Sequence, residues 1–108
     1  EMVGDVDGKT AVIIDDMIST ASTLTVAADL LVERGARAVH AAATHGVFAG
    51  EAIDRILASS ISKVYCTDTI PLPAEQLGDR LEVVTVAPLL AEAIMRIHKD
   101  LSVSALFT

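Results

Sequence analysis

At 108 residues the chain is long enough to bury a core as one domain, near the small end of the usual range. Fifteen acidic residues against eight Lys and Arg give a net charge of −7, and the cations are scattered without a basic run, which argues against nucleic acid as a partner. The single cysteine, Cys66, cannot close an internal disulfide and suits a reducing cytoplasm, and neither a signal peptide nor an 18-residue apolar span is legible, so no membrane partner is expected.

After a Gly8-Lys9 turn, Ala11–Asp15 reads as the first strand. Ser22–Arg34 follows as a helix with Leu24, Ala27, Ala28 and Leu31 on one face, and Gly35 stops it. Ala38–Thr44 is a second strand, rich in alanine, which lets helices approach closely. Gly50 opens a short helix with Ile53, Ile56 and Leu57 on its apolar face. Val64–Thr67 is a third strand that ends in Asp68, and Pro71 and Pro73 enforce a loop. Leu81–Val86 is a fourth strand, and Pro88 suits the first turn of a helix that runs to Lys99. A short tail, Leu101–Thr108, follows. Strands spaced by helices predict an α/β fold with an open, mostly parallel sheet and flanking helices, whose ligands sit at the carboxyl ends of the strands. A hydrophobic content of 52% with only 3% aromatics suits strands covered on both faces.

The chemistry concentrates in residues 11–23. A short apolar strand delivers Asp15 and Asp16, and four hydroxyl side chains (Ser19, Thr20, Ser22 and Thr23) then lead into a helix. Carboxylates accept hydrogen bonds from vicinal sugar hydroxyls, while free N–H groups at a helix start attract a phosphate, so the two halves describe a pocket for a sugar phosphate. Taken alone, the carboxylate pair also reads as a cap on the following helix, and the hydroxyl cluster as a capped helix start. Asp68 either shapes a binding turn or begins a loop. His45, beside Gly46, is a packed or surface histidine as readily as a ligand contact and is assigned no catalysis. Cys66 reads as a buried, inert small apolar residue.

Residues 11–23 resemble the phosphoribosyl-diphosphate-binding motif of the type I phosphoribosyltransferase fold. More narrowly, four segments in order resemble the ribose-phosphate diphosphokinases, or PRPP synthetases: Asp15-Asp16-Met17-Ile18-Ser19-Thr20, Ala43-Thr44-His45-Gly46-Val47-Phe48-Ala49-Gly50, Thr67-Asp68-Thr69-Ile70-Pro71, and Ser102-Val103-Ser104-Ala105-Leu106-Phe107. The resemblance implies that residues 1–108 are the later part of the second domain of a longer enzyme, a fragment not active alone. It implies transfer of diphosphate from ATP to the C1 hydroxyl of ribose 5-phosphate, with PRPP and AMP as products, as a step of nucleotide biosynthesis. Such transfers depend on in-line positioning and charge neutralisation. By motif match, Asp15 and Asp16 hold the ribose hydroxyls, and Ser19, Thr20, Ala21, Ser22 and Thr23 wrap the 5-phosphate. Mg²⁺ accompanies ATP with its ligands outside this chain, so no residue here is assigned to metal. The family assembles as dimers grouped into hexamers, which implies a homo-oligomer.

One departure stands out. The family carries glycine where this chain has Ser22, a substitution that costs affinity if position 22 needs a positive φ. In regulated members of the family, Ser102, Ser104 and Phe107 stand at a phosphate or ADP site between subunits; the competing expectation is an edge strand that packs Val103, Leu106 and Phe107 on the sheet. Two other functions stay open beside synthesis of PRPP: a phosphoribosyltransferase that consumes it, and a non-catalytic regulatory relative of the synthetase.

Overall fold

A computed structural model describes residues 4–108; residues 1–3, within the span read as one domain, lie outside the described residues. Four strands, β1 (Thr10–Ile18), β2 (Ala38–Gly46), β3 (Ile61–Thr67) and β4 (Leu81–Val84), form one parallel sheet in the order β1-β2-β3-β4. Helices α1 (Ser22–Glu33), α2 (Ala52–Leu57), α3 (Ala74–Leu77) and α4 (Ala87–His98) occupy the crossovers and the end, and two 3₁₀ turns, Gly78–Arg80 and Ser104–Phe107, complete the chain. The α/β class with an open parallel sheet and flanking helices is as expected.

The core lies between one sheet face and the first two helices. Val39, Ala41, Ala43, Val64 and Cys66 alternate inward along the central strands and meet Thr25 and Ala28 of α1 and Ala52 and Ile56 of α2. Alanine at 28, 41, 43 and 52 lets these backbones sit close, as the composition suggested. Helix α1 ends as the sequence predicts. Gly35 adopts φ 98°, and the N–H groups of Gly35 and Ala36 donate to the carbonyls of Val32 and Leu31.

The opposite face of the sheet is bare, which corrects the expectation of cover on both faces. Val12, Ile14 and Val84 are 51%, 79% and 52% exposed on it. Helix α4 buries none of its residues, and its stripe Leu90, Ile94, Ile97 is exposed as well. The molecule is accordingly elongated, 52 × 33 × 22 Å, with a radius of gyration of 16.5 Å.

Several boundaries move. Strand β1 continues through Asp15 and Asp16 to Ile18, because the ladder to β2 carries on through Met17–His45 and Ile18–Gly46. Strand β4 stops at Val84 instead of Val86, because Asp68 captures the Val86 N–H at 2.9 Å and the Thr85 hydroxyl at 2.6 Å. The prolines hold a loop at 71–73 as expected, and a four-residue helix, α3, follows it unannounced. The tail is a 3₁₀ turn in place of the edge strand considered for it.

Candidate functional site

At the carboxyl ends of β1 and β2, where open parallel sheets bind ligands, the chain forms a cleft of about 150 Å³. Asp15, Ser19, Thr20, Ala21 and Thr23 line it, over an apolar floor that includes Ile13, Leu24 and Ala41. Five of the seven residues read as sugar-phosphate ligands therefore share one concavity. Asp16 and Ser22 stand outside its lining. Asp16 follows Asp15 on an extended strand, so the two side chains leave in opposite directions, and the Asp16 N–H donates to Asp15 Oδ1 at 2.7 Å. The Ser22 hydroxyl lies 3.2 Å from that of Thr20 at the exposed start of α1.

Backbone geometry here answers the question raised by Ser22. The left-handed residue is Ala21, at φ 64°, and it is the N-cap of α1; Ser22 is the first residue of the helix. Alanine thus bears the conformation that glycine would take at least cost. Two hydrogen bonds hold it, since the Ala21 carbonyl accepts the Thr25 N–H at 3.0 Å and the buried Thr25 hydroxyl at 2.9 Å. No side chain caps α1, so among the described residues the N–H groups of Ser22, Thr23 and Leu24 donate to no protein acceptor. Together with the N–H groups of the preceding loop they present partial positive charge at the cleft, although no Lys or Arg lines it.

The segment after β2 supports this loop. The Ile18 carbonyl accepts the N–H groups of Val47 and Phe48 at 2.9 and 3.0 Å, the Ser19 carbonyl accepts that of Ala49 at 2.9 Å, and the Thr20 carbonyl accepts Arg55 Nη1 of α2 at 2.9 Å. Sequence reading gave Arg55 no part. Its only signal was a lone cation 35 residues along the chain from Thr20, and nothing in the spacing ties the two. Gly46 makes the fit possible: a Cβ there would lie 2.5 Å from the Phe48 ring and 2.8 Å from Leu72 Cδ2.

The other candidates fall elsewhere. His45 Nδ1 lies 2.8 Å from the Thr69 hydroxyl, and the Thr67 hydroxyl donates to the Thr44 carbonyl at 2.6 Å, so the Thr-Asp-Thr segment is stitched to the end of β2. Asp68 closes a turn onto the start of α4, and the bonds from Thr85 and then Val86 hold its carboxyl below the ordinary value. Burial pushes the Cys66 thiol up, which fits an inert core residue. In the tail, Ser102 and Ser104 meet hydroxyl to hydroxyl at 2.8 Å, and Arg96 Nη1 donates to the Ser102 carbonyl at 3.1 Å, while Phe107 projects outward, 73% exposed. Among the described residues, no three His, Cys, Asp or Glu side chains converge as a metal site, and no helix is long and apolar enough to cross a membrane.

Comparison with known proteins follows the same lines. Residues 1–108 match the family described as "Phosphoribosyl synthetase-associated domain". The chain is 54% identical over 107 residues to a ribose-phosphate pyrophosphokinase of Caldanaerobacter subterraneus subsp. tengcongensis, a match over 99% of this chain and 34% of that protein. It is 50% identical over 107 residues to the ribose-phosphate pyrophosphokinase of Bacillus subtilis, again over 99% of this chain and 34% of the relative. The crystal structure of phosphoribosylpyrophosphate synthetase from Mycobacterium smegmatis superposes with a TM-score of 0.85 at 41% identity, over 91% of this chain and 33% of that one. The chain therefore spans about a third of the length of the curated relatives it matches.

Proposed function

The chain belongs to the phosphoribosyl synthetase-associated domain family, and from that premise we propose that it is the ribose-5-phosphate-holding portion of an enzyme that makes PRPP from ATP and ribose 5-phosphate. The observation that carries this reading is the cleft at the end of β1, where one carboxylate and a hydroxyl-bearing loop with free N–H groups face a common space. A sugar phosphate needs both at once: acceptors for its hydroxyls and donors for its phosphate.

In this reading Asp15 and Asp16 accept hydrogen bonds from the ribose hydroxyls, Asp15 from within the cleft lining and Asp16 from outside it. The N–H groups and hydroxyls of Ser19, Thr20, Ala21, Ser22 and Thr23 surround the 5-phosphate. With both ends held, the C1 hydroxyl has a fixed direction of attack on the β-phosphorus of ATP, and AMP departs. Fixing the acceptor in this way removes translational and rotational freedom from the reaction, the main resource of phosphoryl-type transfer. Mg²⁺, bound with ATP, would neutralise charge on the transferred group; the described residues offer no three-ligand site of their own for it.

The remaining features fit the later part of a second domain in a longer, cytoplasmic enzyme that assembles as a homo-oligomer, a hexamer in the family. Support comes from the matched relatives, about three times as long as this chain, and from the bare sheet face and uncovered α4, which want neighbours. Ser102, Ser104 and Phe107 would then contribute to a regulatory phosphate or ADP site between subunits; the contact between the two serines and the outward Phe107 leave them available to a partner.

Calorimetric titration with ribose 5-phosphate tests the reading. Saturable binding by the wild-type chain is expected, with ribose lacking the phosphate binding far more weakly. A variant carrying Asp15→Asn and Thr20→Ala loses two charge-assisted or polar contacts and binds at least about tenfold more weakly. Equal heats for wild type and variant would exclude the cleft.

A further inference from the structure

Among the described residues, the loop that faces the cleft has no backbone-to-backbone hydrogen bond within residues 19–21 to shape it. Its carbonyls are held from behind instead, by residues 47–55. The Ile18, Ser19 and Thr20 carbonyls accept from Val47 and Phe48, from Ala49, and from Arg55 Nη1, at 2.9 to 3.0 Å. All peptide bonds among the described residues are trans, and in a trans peptide the carbonyl of one residue and the N–H of the next point in opposite directions. Pinning these three carbonyls toward the β2–α2 segment therefore turns the N–H groups of Ser19, Thr20 and Ala21 the other way, toward the cleft. We infer that Arg55 is a positioning residue for the phosphate loop: it touches no ligand itself, and by holding the Thr20 carbonyl it aims the Ala21 N–H at the phosphate. This inference rests on the sugar-phosphate reading above.

Three features single out Arg55. It supplies the one side-chain donor in the brace among the described residues, the others being backbone N–H groups, which only a proline would remove. The peptide it holds leads straight into Ala21, whose left-handed φ of 64° is unfavourable for a residue with a Cβ and persists only where its surroundings fix it. Phe48, on the bracing side, is left-handed too at φ 49°. Both halves of the contact thus hold a strained residue, and the hydrogen bonds between them keep each in place. Lastly, the Arg55 side chain is 38% exposed, and its Nη2 is 3.5 Å from the still more exposed Glu51 carboxylate. An exposed pair of this kind adds little to stability. Loss of the guanidinium should therefore be felt in the loop and scarcely in the fold.

The test measures binding of inorganic phosphate, ribose 5-phosphate and ribose to the full chain, with ¹⁵N-labelled protein so that each amide is followed. Arg55→Met is expected to weaken inorganic phosphate and ribose 5-phosphate by the same factor, about tenfold, and to leave any ribose binding unchanged. Amide resonances of Thr20 and Ala21 should shift in the ligand-free variant while that of Ala28, fully buried in α1, stays in place. Arg55→Lys keeps the charge and stem and should recover part of the loss; it carries the same comparison where Arg55→Met does not fold. Wild-type binding that both variants match within about twofold overturns the inference and leaves the sugar-phosphate reading standing. So does a loss confined to ribose 5-phosphate with inorganic phosphate unaffected. A wild-type chain that binds neither phosphate ligand overturns the reading, and the inference with it.

Discussion

Two corners of this small sheet use similar residues to opposite ends. Where β1, β2 and β3 meet α1 and α2, aliphatic side chains disappear from water: Val39, Ala52, Ile56 and Val64 are all at 0% exposure, and the left-handed residues Ala21 and Phe48 lie in the loops at this corner. Around β4 and α4, equally apolar residues stay wet, with Ile94 and Ile97 at 67% and 64%. Hydrophobic spacing is the same in both places. What differs is whether a second surface is present to receive it. The loop that carries the candidate chemistry is built on the packed corner, where four protein donors hold its carbonyls at 2.9 to 3.0 Å, the kind of rigid support a binding site is best built on.

Exchanging one isoleucine in each corner gives the largest contrast. Ile56→Ala empties a fully buried position and should cost about 2–5 kcal/mol, enough to threaten the fold of a domain this size. Ile94→Ala on α4 should fall within about 0.5 kcal/mol of wild type. Urea denaturation of the two variants reads both numbers. Similar losses would mean that α4 is packed after all, and the contrast between the corners would vanish.

Gly46→Ala sharpens the comparison from inside the packed corner. The new methyl would meet the Phe48 ring at 2.5 Å and Leu72 at 2.8 Å, closer than either tolerates, so a loss of roughly 1–3 kcal/mol is expected. Because Phe48 carries part of the brace on Ile18, this variant should also bind ribose 5-phosphate less tightly. A thermal melt and a titration on the same sample separate the two effects. A stable variant with unaltered binding would show that the Val47–Ala49 turn does not shape the loop.

The packed corner was largely legible in the sequence. The alanine-rich run of β2, the periodic face of α1, and Gly35 as its stop are local signals with a known geometry, and the structure keeps them. Asp15 and the Ser19–Thr23 hydroxyls were legible by type and order, and four of the five loop residues line the cleft. What could not be read was long-range. Arg55 is 35 residues from the carbonyl it holds, and Ala21, not the residue beside it, takes the left-handed backbone because Thr25 and Arg55 meet on either side of it. The bare face escaped for a related reason: an aliphatic-rich composition says that strands are covered by something, and the described residues do not supply the cover. Likewise the tail's alternation of Ser and apolar residues satisfies a strand pattern, yet the backbone pairs with no strand and closes into a 3₁₀ turn.

The gentlest way to probe the open corner is with protons. Asp68 receives the Thr85 hydroxyl at 2.6 Å and the Val86 N–H at 2.9 Å, and Thr85 Oγ1 in turn accepts the Ala87 N–H at 3.1 Å, so one carboxylate organises the entry to α4. These bonds favour the charged form and lower its pKa in the folded chain. Its contribution to stability is therefore complete above the ordinary carboxylate value of about 3.9 and is lost as pH falls through the lower, folded value. Asp29 behaves alike at the packed corner, where the Ser60 hydroxyl and N–H lower its pKa, but α1 has buried Thr25 and Ala28 to hold it when that carboxylate is protonated. Helix α4 has no buried residue to fall back on. Amide exchange followed from about pH 5 to pH 2 should show Val86 and Ala87 losing protection while the interior of α1 keeps its own. In Asp68→Asn the same amides should be weakly protected throughout and lose this pH dependence, because the side chain no longer carries a charge to lose. If α1 and α4 instead opened together, the two corners would be one cooperative unit, and the bare face would be a feature of exposure alone, with no bearing on where the chain is firm.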